Sequence, residues 1–83
     1  MERLKRRQDF VAAARASYAA MPGLTLQARN RGDEGSPRVG FTATKKIGNA
    51  VVRNRVKRRL RELARLQLAG QARPGHDYVL IGR

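Results

Sequence analysis

The sequence predicts a single α+β domain, residues 1–83, in which helices pack on one small sheet. Its 83 residues match the size of one small domain. Two short segments alternate apolar and polar residues, as half-buried strands do. From residue 50 onward, apolar residues recur at spacings of three and four, which is typical of an amphipathic helix. Apolar residues make up 41% of the chain, enough to form a core.

The charge balance narrows the class of partner. Lys and Arg number 19 against 6 Asp and Glu, a formal net charge of +13. Such an excess opposes folding through self-repulsion unless a polyanion neutralises it, and nucleic acid is the usual polyanion. No apolar run approaches the roughly 20 residues of a membrane span, and the N-terminal residues lack the apolar stretch of a signal peptide. We therefore expect a nucleic-acid-binding protein of the cytoplasm, with no membrane partner.

Residues 3–20 are predicted to form the first helix, which would lie on the sheet with its apolar side. The apolar positions are Leu4, Phe10, Val11 and Ala14. Pro22-Gly23 then ends the helix, because proline cannot continue it and glycine favours a turn.

Two strands follow, at residues 24–29 and 38–44. Their alternation places every second residue toward the core. The inward residues are Leu24, Leu26 and Ala28 in the first strand and Val39, Phe41 and Ala43 in the second. The polar, glycine-rich residues 30–37 predict a loop that joins the two strands in an antiparallel hairpin. Lys45–Ile47 is an optional short third strand.

A long helix from residue 50 to about residue 69 is the clearest local prediction. Asn49 is a favoured N-cap, and Gly48 before it tolerates unusual backbone angles. The apolar stripe consists of Val52, Val56, Leu60, Leu63 and Ala64. Gly70 is a typical C-terminal stop. Residues 78–81 then form a short buried strand that joins the same sheet.

The outward surface of this helix carries almost only positive charge. Its residues are Arg53, Asn54, Arg55, Lys57, Arg58, Arg59, Arg61 and Arg65, and Lys45 and Lys46 precede them. The single acid, Glu62, is placed for an ion pair with Arg58. Like charges at these spacings destabilise a helix, and an ordinary solvated helix interleaves both signs. We therefore favour a phosphate-binding surface over a solvated basic face that has no partner.

Residues 45–62, KKIGNAVVRNRVKRRLRE, resemble the arginine-rich signature of the protein subunit of bacterial ribonuclease P. The flanking segments are similar to that family as well. RVGF at residues 38–41 resembles the strand before the signature, DF at residues 9–10 the first helix, and HDYVLI at residues 76–81 the last strand. The resemblance covers essentially the whole chain, and the length of the matching run makes it specific.

That resemblance implies a fold, an activity and partners. The family fold is a small two-layer α/β sandwich, αβββαβα, whose βαβ crossover is left-handed against the usual right-handed rule. The activity is removal of the 5′ leader from precursor tRNA. The catalytic RNA subunit carries out the hydrolysis with bound Mg²⁺, and the protein is a non-catalytic subunit with no obligatory protein partner. Its signature helix binds the catalytic RNA, and a cleft between the first helix and the sheet binds the leader.

The resemblance also implies site residues. The signature positions are matched by Lys45, Lys46, Arg53, Asn54, Arg55, Lys57, Arg58 and Arg61. Arg65, on the same helix surface, completes the predicted RNA-binding set. Phe10 matches an aromatic residue that lines the leader cleft, although a core role is an equal expectation. Many family members carry a second aromatic residue one turn later, where this chain has Ala14, and Tyr18 is the candidate replacement. The family continues into a C-terminal helix that we expect to be missing here, because the sequence stops at Arg83.

Two other classes of function share some of these features. A structural ribosomal protein would have the same basic composition, and co-sedimentation with ribosomal subunits would distinguish it. A protein-only nuclease would need clustered carboxylates or histidines, and the chain shows no such spacing and no cysteine for a thiolate metal site. His76 stands alone and is expected to pack in a turn. We therefore predict no catalytic residue and no metal ligand in the protein itself.

Overall fold

A five-stranded sheet with two α-helices makes up the part of the chain that this computed structural model describes, residues 1–82. In chain order the elements are β1 (Glu2–Arg3), α1 (Arg7–Ala14), β2 (Ser17–Met21), β3 (Leu24–Asn30), β4 (Arg38–Ala43), α2 (Ala50–Leu63) and β5 (His76–Gly82). A 3₁₀ turn, Lys45–Ile47, precedes α2, and a π-helical turn, Ala64–Leu68, extends it. Within these residues, no helix combines the length and the apolar character that crossing a membrane requires.

β5 lies at the centre of the sheet, whose strand order is β1-β4-β5-β3-β2. It pairs in parallel with β4 and antiparallel with β3. The link from β4 to β5 runs through α2, so the expected parallel βαβ crossover is present, and its hand stays a prediction. Because β5 is covered on both faces, its residues from Asp77 to Leu80 are buried without interruption.

The two helices lie on opposite faces of the sheet. Tyr78 and Leu80 of β5 belong to the same apolar cluster as Leu60 of α2. Val79, between them, packs instead with Ala13 of α1. Neighbouring residues of a strand point to opposite faces, so the sheet separates α1 from α2. The α+β class is confirmed. The expected sandwich had two layers, one of helices and one sheet, whereas here one helix packs on each face of the sheet.

The prediction of one helix over residues 3–20 is wrong at both ends. The helix spans only Arg7–Ala14, residues 2–3 form β1, and Ser17–Met21 forms β2. β2 pairs with β3 along its whole length. Alanine favours a helix by only tenths of a kcal/mol per residue over most alternatives. The sheet hydrogen bonds of β2 outweigh that preference, which is why an alanine-rich segment becomes a strand.

The predicted hairpin between β3 and β4 is also wrong, because β5 lies between these strands. The hairpin of the sheet joins β2 to β3 through Pro22-Gly23. Gly23 has a φ of +79°, a conformation that L side chains rarely adopt, so this dipeptide makes a turn between strands. The optional strand at Lys45–Ile47 is a 3₁₀ turn. The last strand is confirmed and is longer than predicted, His76–Gly82.

Gly40 of β4 lies directly beneath the ring of Phe10, where α1 meets the sheet. A Cβ at this position would lie 2.5 Å from Cε1 of Phe10 and 3.1 Å from Cδ1 of Leu4. Gly40→Ala should therefore displace the ring and lower the free energy of unfolding by about 1–3 kcal/mol, as overpacking of a core does. Urea denaturation measures the change, and Gly70→Ala, whose Cβ would meet nothing within 4 Å, is the matched control. An equal loss of stability in the two variants would contradict the close packing of Phe10 on β4.

Candidate nucleic-acid interface

The N-terminus of α2 is fixed by the two residues before it. Gly48 has a φ of +150°, which favours glycine, and a Cβ there would crowd the side chain of Val52 at 3.2 Å. The predicted N-cap is confirmed, since Asn49 Oδ1 accepts a hydrogen bond from the amide of Val52 at 3.0 Å. Arg53 Nη1 donates to the Gly48 carbonyl at 3.3 Å. The side chains of Asn49 and Arg53 therefore both fix the first turn of the cationic helix.

The apolar stripe holds α2 on the sheet. Leu60 and Ala64 are each 3% exposed, and Val56 packs beside them. Leu63, which was predicted to belong to the stripe, is exposed. Beyond α2 the helix widens into the π-helical turn, in which the amide of Ala69 donates to the carbonyl of Ala64. The predicted extent of the helix is therefore confirmed.

The predicted RNA-binding residues share the surface that this stripe leaves free, which we call the α2 surface. Seven of them are exposed: Lys45, Lys46, Asn54, Arg55, Arg58, Arg61 and Arg65. The other two, Arg53 and Lys57, are half-buried along the flank of the stripe. Lys45 and Lys46 lie in the 3₁₀ turn just before α2. Near its middle, the exposed side chain of Val51 shares a shallow depression with Asn54, Arg55 and Arg58.

The one acid on the α2 surface pairs differently from the prediction. Glu62 accepts hydrogen bonds from Arg65, three residues later, where a pair with Arg58 was expected. The hydrogen bond from Arg65 lowers the pKa of the Glu62 carboxyl below its usual range. Both side chains are well exposed, so the pair contributes little to stability. It partly neutralises Arg65 and leaves Arg58 free of this acid, so Arg58 is the stronger candidate for a phosphate contact.

The opposite face of the sheet, on the side of α1, holds Phe10. Its ring rests on Gly40 and packs against the cluster that contains Leu4 and Val79. Phe10 is half-buried, so it both closes the core and leaves part of its ring accessible. Ala14, one turn later, is exposed and offers no ring there. We call this side of the sheet the α1 face.

A cluster of charges that the sequence reasoning missed closes one end of the α1 face. Asp77 of β5 is fully buried, and its carboxylate accepts hydrogen bonds from Arg38 Nε at 2.7 Å and Nη2 at 2.8 Å. Arg31 also donates to it. Arg29 lies 3.7 Å from both Asp77 and Asp9, and so joins α1 to the sheet. Sequence spacing could not show this cluster, because the partners of Asp77 lie 39 and 46 residues away from it. The one signal in the sequence is an Asp at the start of an otherwise apolar strand.

The electrostatics of this cluster favour an ionised Asp77. Burial alone would raise its pKa, but hydrogen bonds from Arg38 and Arg31 outweigh burial and hold the pKa below the usual range. Arg31 also donates to Asp33 and to the Ser36 carbonyl at 2.9 Å. The cluster therefore ties the loop between β3 and β4 to the central strand, which is a structural role.

The carboxylates and His76 are the candidate metal ligands among the described residues. Within residues 1–82, no group of three or more His, Cys, Asp or Glu side chains lies together in a way that could hold a metal ion. The imidazole Nδ1 of His76 lies 2.9 Å from the Pro74 carbonyl, and its ring stacks on Tyr78 with centroids 6.1 Å apart. Those contacts place His76 in turn packing.

The fold and these surfaces define a class of protein: a small α+β domain whose crossover helix exposes a cationic surface, with a half-buried aromatic ring on the opposite side of the sheet. A family model described as Ribonuclease P matches residues 1–83. The chain therefore belongs to the ribonuclease P protein family, and the resemblance of residues 45–62 is confirmed.

Relatives agree with this assignment. The chain is 57% identical over 82 residues to the ribonuclease P protein component of Ruegeria pomeroyi, covering 96% of this chain and 66% of that protein. It is 58% identical over 83 residues to that of Caulobacter vibrioides NA1000, covering 99% of this chain and 56% of the relative. The chain thus spans less than two thirds of the length of these curated relatives.

Solved structures show the same fold. The ribonuclease P protein of Staphylococcus aureus superposes with a TM-score of 0.80 at 27% identity, covering 100% of this chain and 75% of that one. The protein from Thermotoga maritima gives a TM-score of 0.77 at 30% identity, covering 100% of this chain and 74% of that one.

Proposed function

We propose that this chain is the protein component of a ribonuclease P ribonucleoprotein, in which it binds the catalytic RNA and precursor tRNA and assists removal of the 5′ leader. The observation that carries the proposal is the α2 surface, a capped helix on which nearly all charges are positive. Such a surface neutralises RNA phosphates and releases their counterions, which supplies affinity without sequence readout. This charge pattern does not stabilise the helix itself, because repulsion between like charges destabilises a helix.

In this proposal the two faces of the sheet bind different parts of the RNA. The α2 surface binds the phosphates of the catalytic RNA, with Arg58 and Arg61 exposed and Arg53 held at the start of the helix. The α1 face binds the single-stranded leader, and the accessible part of Phe10 offers one base a surface for stacking. The protein would then hold the precursor and the catalytic RNA from opposite sides.

In this proposal the RNA subunit carries the chemistry. Mg²⁺ requires oxygen ligands, usually carboxylates together with phosphates or water. The described residues do not fit a protein-borne site of this kind, because they hold no such cluster and the buried carboxylate of Asp77 is already bound by arginines. The Mg²⁺ of the reaction is therefore assigned to RNA phosphates, and no residue of this chain is assigned a catalytic role. We place the activity in the cytoplasm, without a membrane or a further protein partner.

Reconstitution tests the proposal. The catalytic RNA of a close relative and a precursor tRNA are mixed at low Mg²⁺, with and without this chain, and cleavage of the leader is followed. We expect the protein to raise the cleavage rate and to lower the Mg²⁺ requirement, while the protein alone cleaves little. A version extended at its C-terminus to the length of the relatives is run in parallel. No effect of either version on rate or Mg²⁺ requirement would overturn the proposal, and co-sedimentation with ribosomal subunits would favour the ribosomal alternative.

A further inference from the structure

Tyr18 is the exposed member of the four aromatic residues, two Phe and two Tyr. The structure places it on β2, at the edge of the sheet, where 73% of its surface is accessible. The sequence alone assigned it to a helix, one turn beyond Ala14. Its real position on a strand changes what it can contact, because the strand fixes the face toward which the ring points.

The register of the sheet puts Tyr18 on the α1 face. Tyr18 lies opposite Gln27, Gln27 opposite Val79, and Val79 opposite Gly40. Residues opposite one another on adjacent strands project to the same side. Val79 packs with α1, so Tyr18 projects to the same side as α1.

Phe10 and Tyr18 therefore stand at the two ends of one row across the α1 face. Phe10 rests on Gly40 at one end, and Tyr18 occupies the other end. Three strand spacings separate the two ends, roughly 14 Å. Stacked rings lie about 4.5–7 Å apart, so one base cannot stack on both rings. Ala13 of α1 covers Val79 in the middle of this row, so the helix lies between the two ends and the two rings suit two different nucleotides.

The surroundings of Tyr18 suit a nucleobase. Every residue of β2 is exposed, and Ser17–Met21 carries no charged side chain. A phenol ring presented on such a strand offers an apolar surface without competing ion pairs. Stacking on aromatic side chains needs no particular base, because every base has a π-face. An exposed tyrosine therefore fits a single-stranded RNA whose sequence varies.

We propose that Tyr18 is a base-stacking platform for the single-stranded 5′ leader, and that it supplies from the edge strand the second aromatic surface that α1 lacks at Ala14. The proposal rests on the proposed function, since it assigns a further residue to the same leader-binding face. Tyr18 acts in binding alone and takes no part in cleavage.

Binding by the reconstituted holoenzyme tests this. The affinity for precursor tRNA is compared with that for the same tRNA without its leader. Tyr18→Ala should weaken binding of the precursor roughly 5- to 150-fold, the range that corresponds to loss of one base stack. It should leave the leaderless tRNA and the salt dependence unchanged, and Tyr18→Phe should retain the affinity of the original protein. Met21→Ala is the matched control, because Met21 is also exposed on β2 but projects to the other face.

A spectroscopic readout follows from the composition. The chain has no Trp and two Tyr, so Tyr78→Phe leaves Tyr18 as the sole source of tyrosine emission. Titration with a single-stranded leader oligonucleotide should quench this emission as the base stacks. Thermal unfolding checks that each variant is folded.

The outcomes separate the two proposals. The original protein could stimulate cleavage and prefer the precursor while Tyr18→Ala binds the precursor equally well and the tyrosine emission does not change. That result would overturn only the role of Tyr18. A protein that dimerises through β2, in a manner abolished by Tyr18→Ala and without effect on the precursor, would also overturn that role. No stimulation of cleavage by the original protein overturns the proposed function, and the role of Tyr18 falls with it.

Discussion

Asp77→Asn is expected to lower the free energy of unfolding by about 3–5 kcal/mol, the range found when one partner of a buried charge pair is removed. Asp77 is fully buried and accepts hydrogen bonds from both Arg31 and Arg38. Its neutral substitute would leave Arg31 and Arg38 without the buried carboxylate that binds both of them. For a chain of 83 residues the total stability is roughly 4–12 kcal/mol, so this loss would remove a large share of it.

Urea denaturation followed by circular dichroism measures this loss, with Asp33→Asn as the matched control. Asp33 pairs with the same arginine, Arg31, but more than half of its side chain is exposed. An exposed pair contributes about 0–1 kcal/mol, so the control should change little. Equal effects of the two substitutions would show that the buried cluster does not hold the fold.

The pH dependence of stability follows from the lowered pKa of Asp77. A carboxyl whose pKa is lower in the folded state stabilises the fold above its unfolded pKa, near 3.9. Stability should therefore stay level between about pH 7 and pH 5, and decline as the pH falls below about 4 and then through the folded pKa. Asp77→Asn should weaken this acid-dependent decline. If the free energy of unfolding of Asp77→Asn declines in acid as steeply as that of the original protein, other carboxylates cause the decline.

Charge reversal on the α2 surface should weaken binding of the catalytic RNA. Arg58→Glu and Arg61→Glu each remove one exposed cation. A charge-assisted hydrogen bond contributes about 1.5–3 kcal/mol, so each reversal should reduce the affinity by roughly 10- to 150-fold. Each should also flatten the dependence of log affinity on log salt by about one unit, because one fewer phosphate is neutralised.

Arg73→Glu is the control for net charge, since it makes the same change at an exposed position in the loop before β5. If the attraction were only that of the whole protein's charge, this variant would lose as much affinity as Arg58→Glu. We expect a much smaller loss, with unfolding temperatures close to that of the original protein in all three variants. Equal losses at all three positions would argue against a specific α2 surface.

Local signals in the sequence were sufficient for α2 and its surface. The cap at Asn49, the apolar stripe through Leu60 and the surrounding cations all lie within about 20 consecutive residues, so their spacing alone fixes which side faces the sheet. β5 was equally clear, because a central strand is apolar on both faces.

Features that depend on distant pairing could not be read from spacing. The alanine-rich segment at residues 17–21 becomes β2 only because β3 pairs with it. β3 and β4 are separated because β5, more than 30 residues later, lies between them. The partners of Asp77 come from two other strand ends, so its burial as an ion required knowledge of the sheet order. For the same reason, Tyr18 was predicted to lie in a helix, whereas the pairing of β2 with β3 places it on a strand at the edge of the α1 face.

The most direct test of RNA binding by the α2 surface is the salt dependence of affinity for the catalytic RNA. If about six cations each neutralise a phosphate, log affinity should fall against log salt with a slope of roughly −4 to −5. The slope should flatten in Arg58→Glu and stay unchanged in Arg73→Glu. A slope near zero, or one that Arg58→Glu leaves as steep as before, would contradict phosphate binding by this helix.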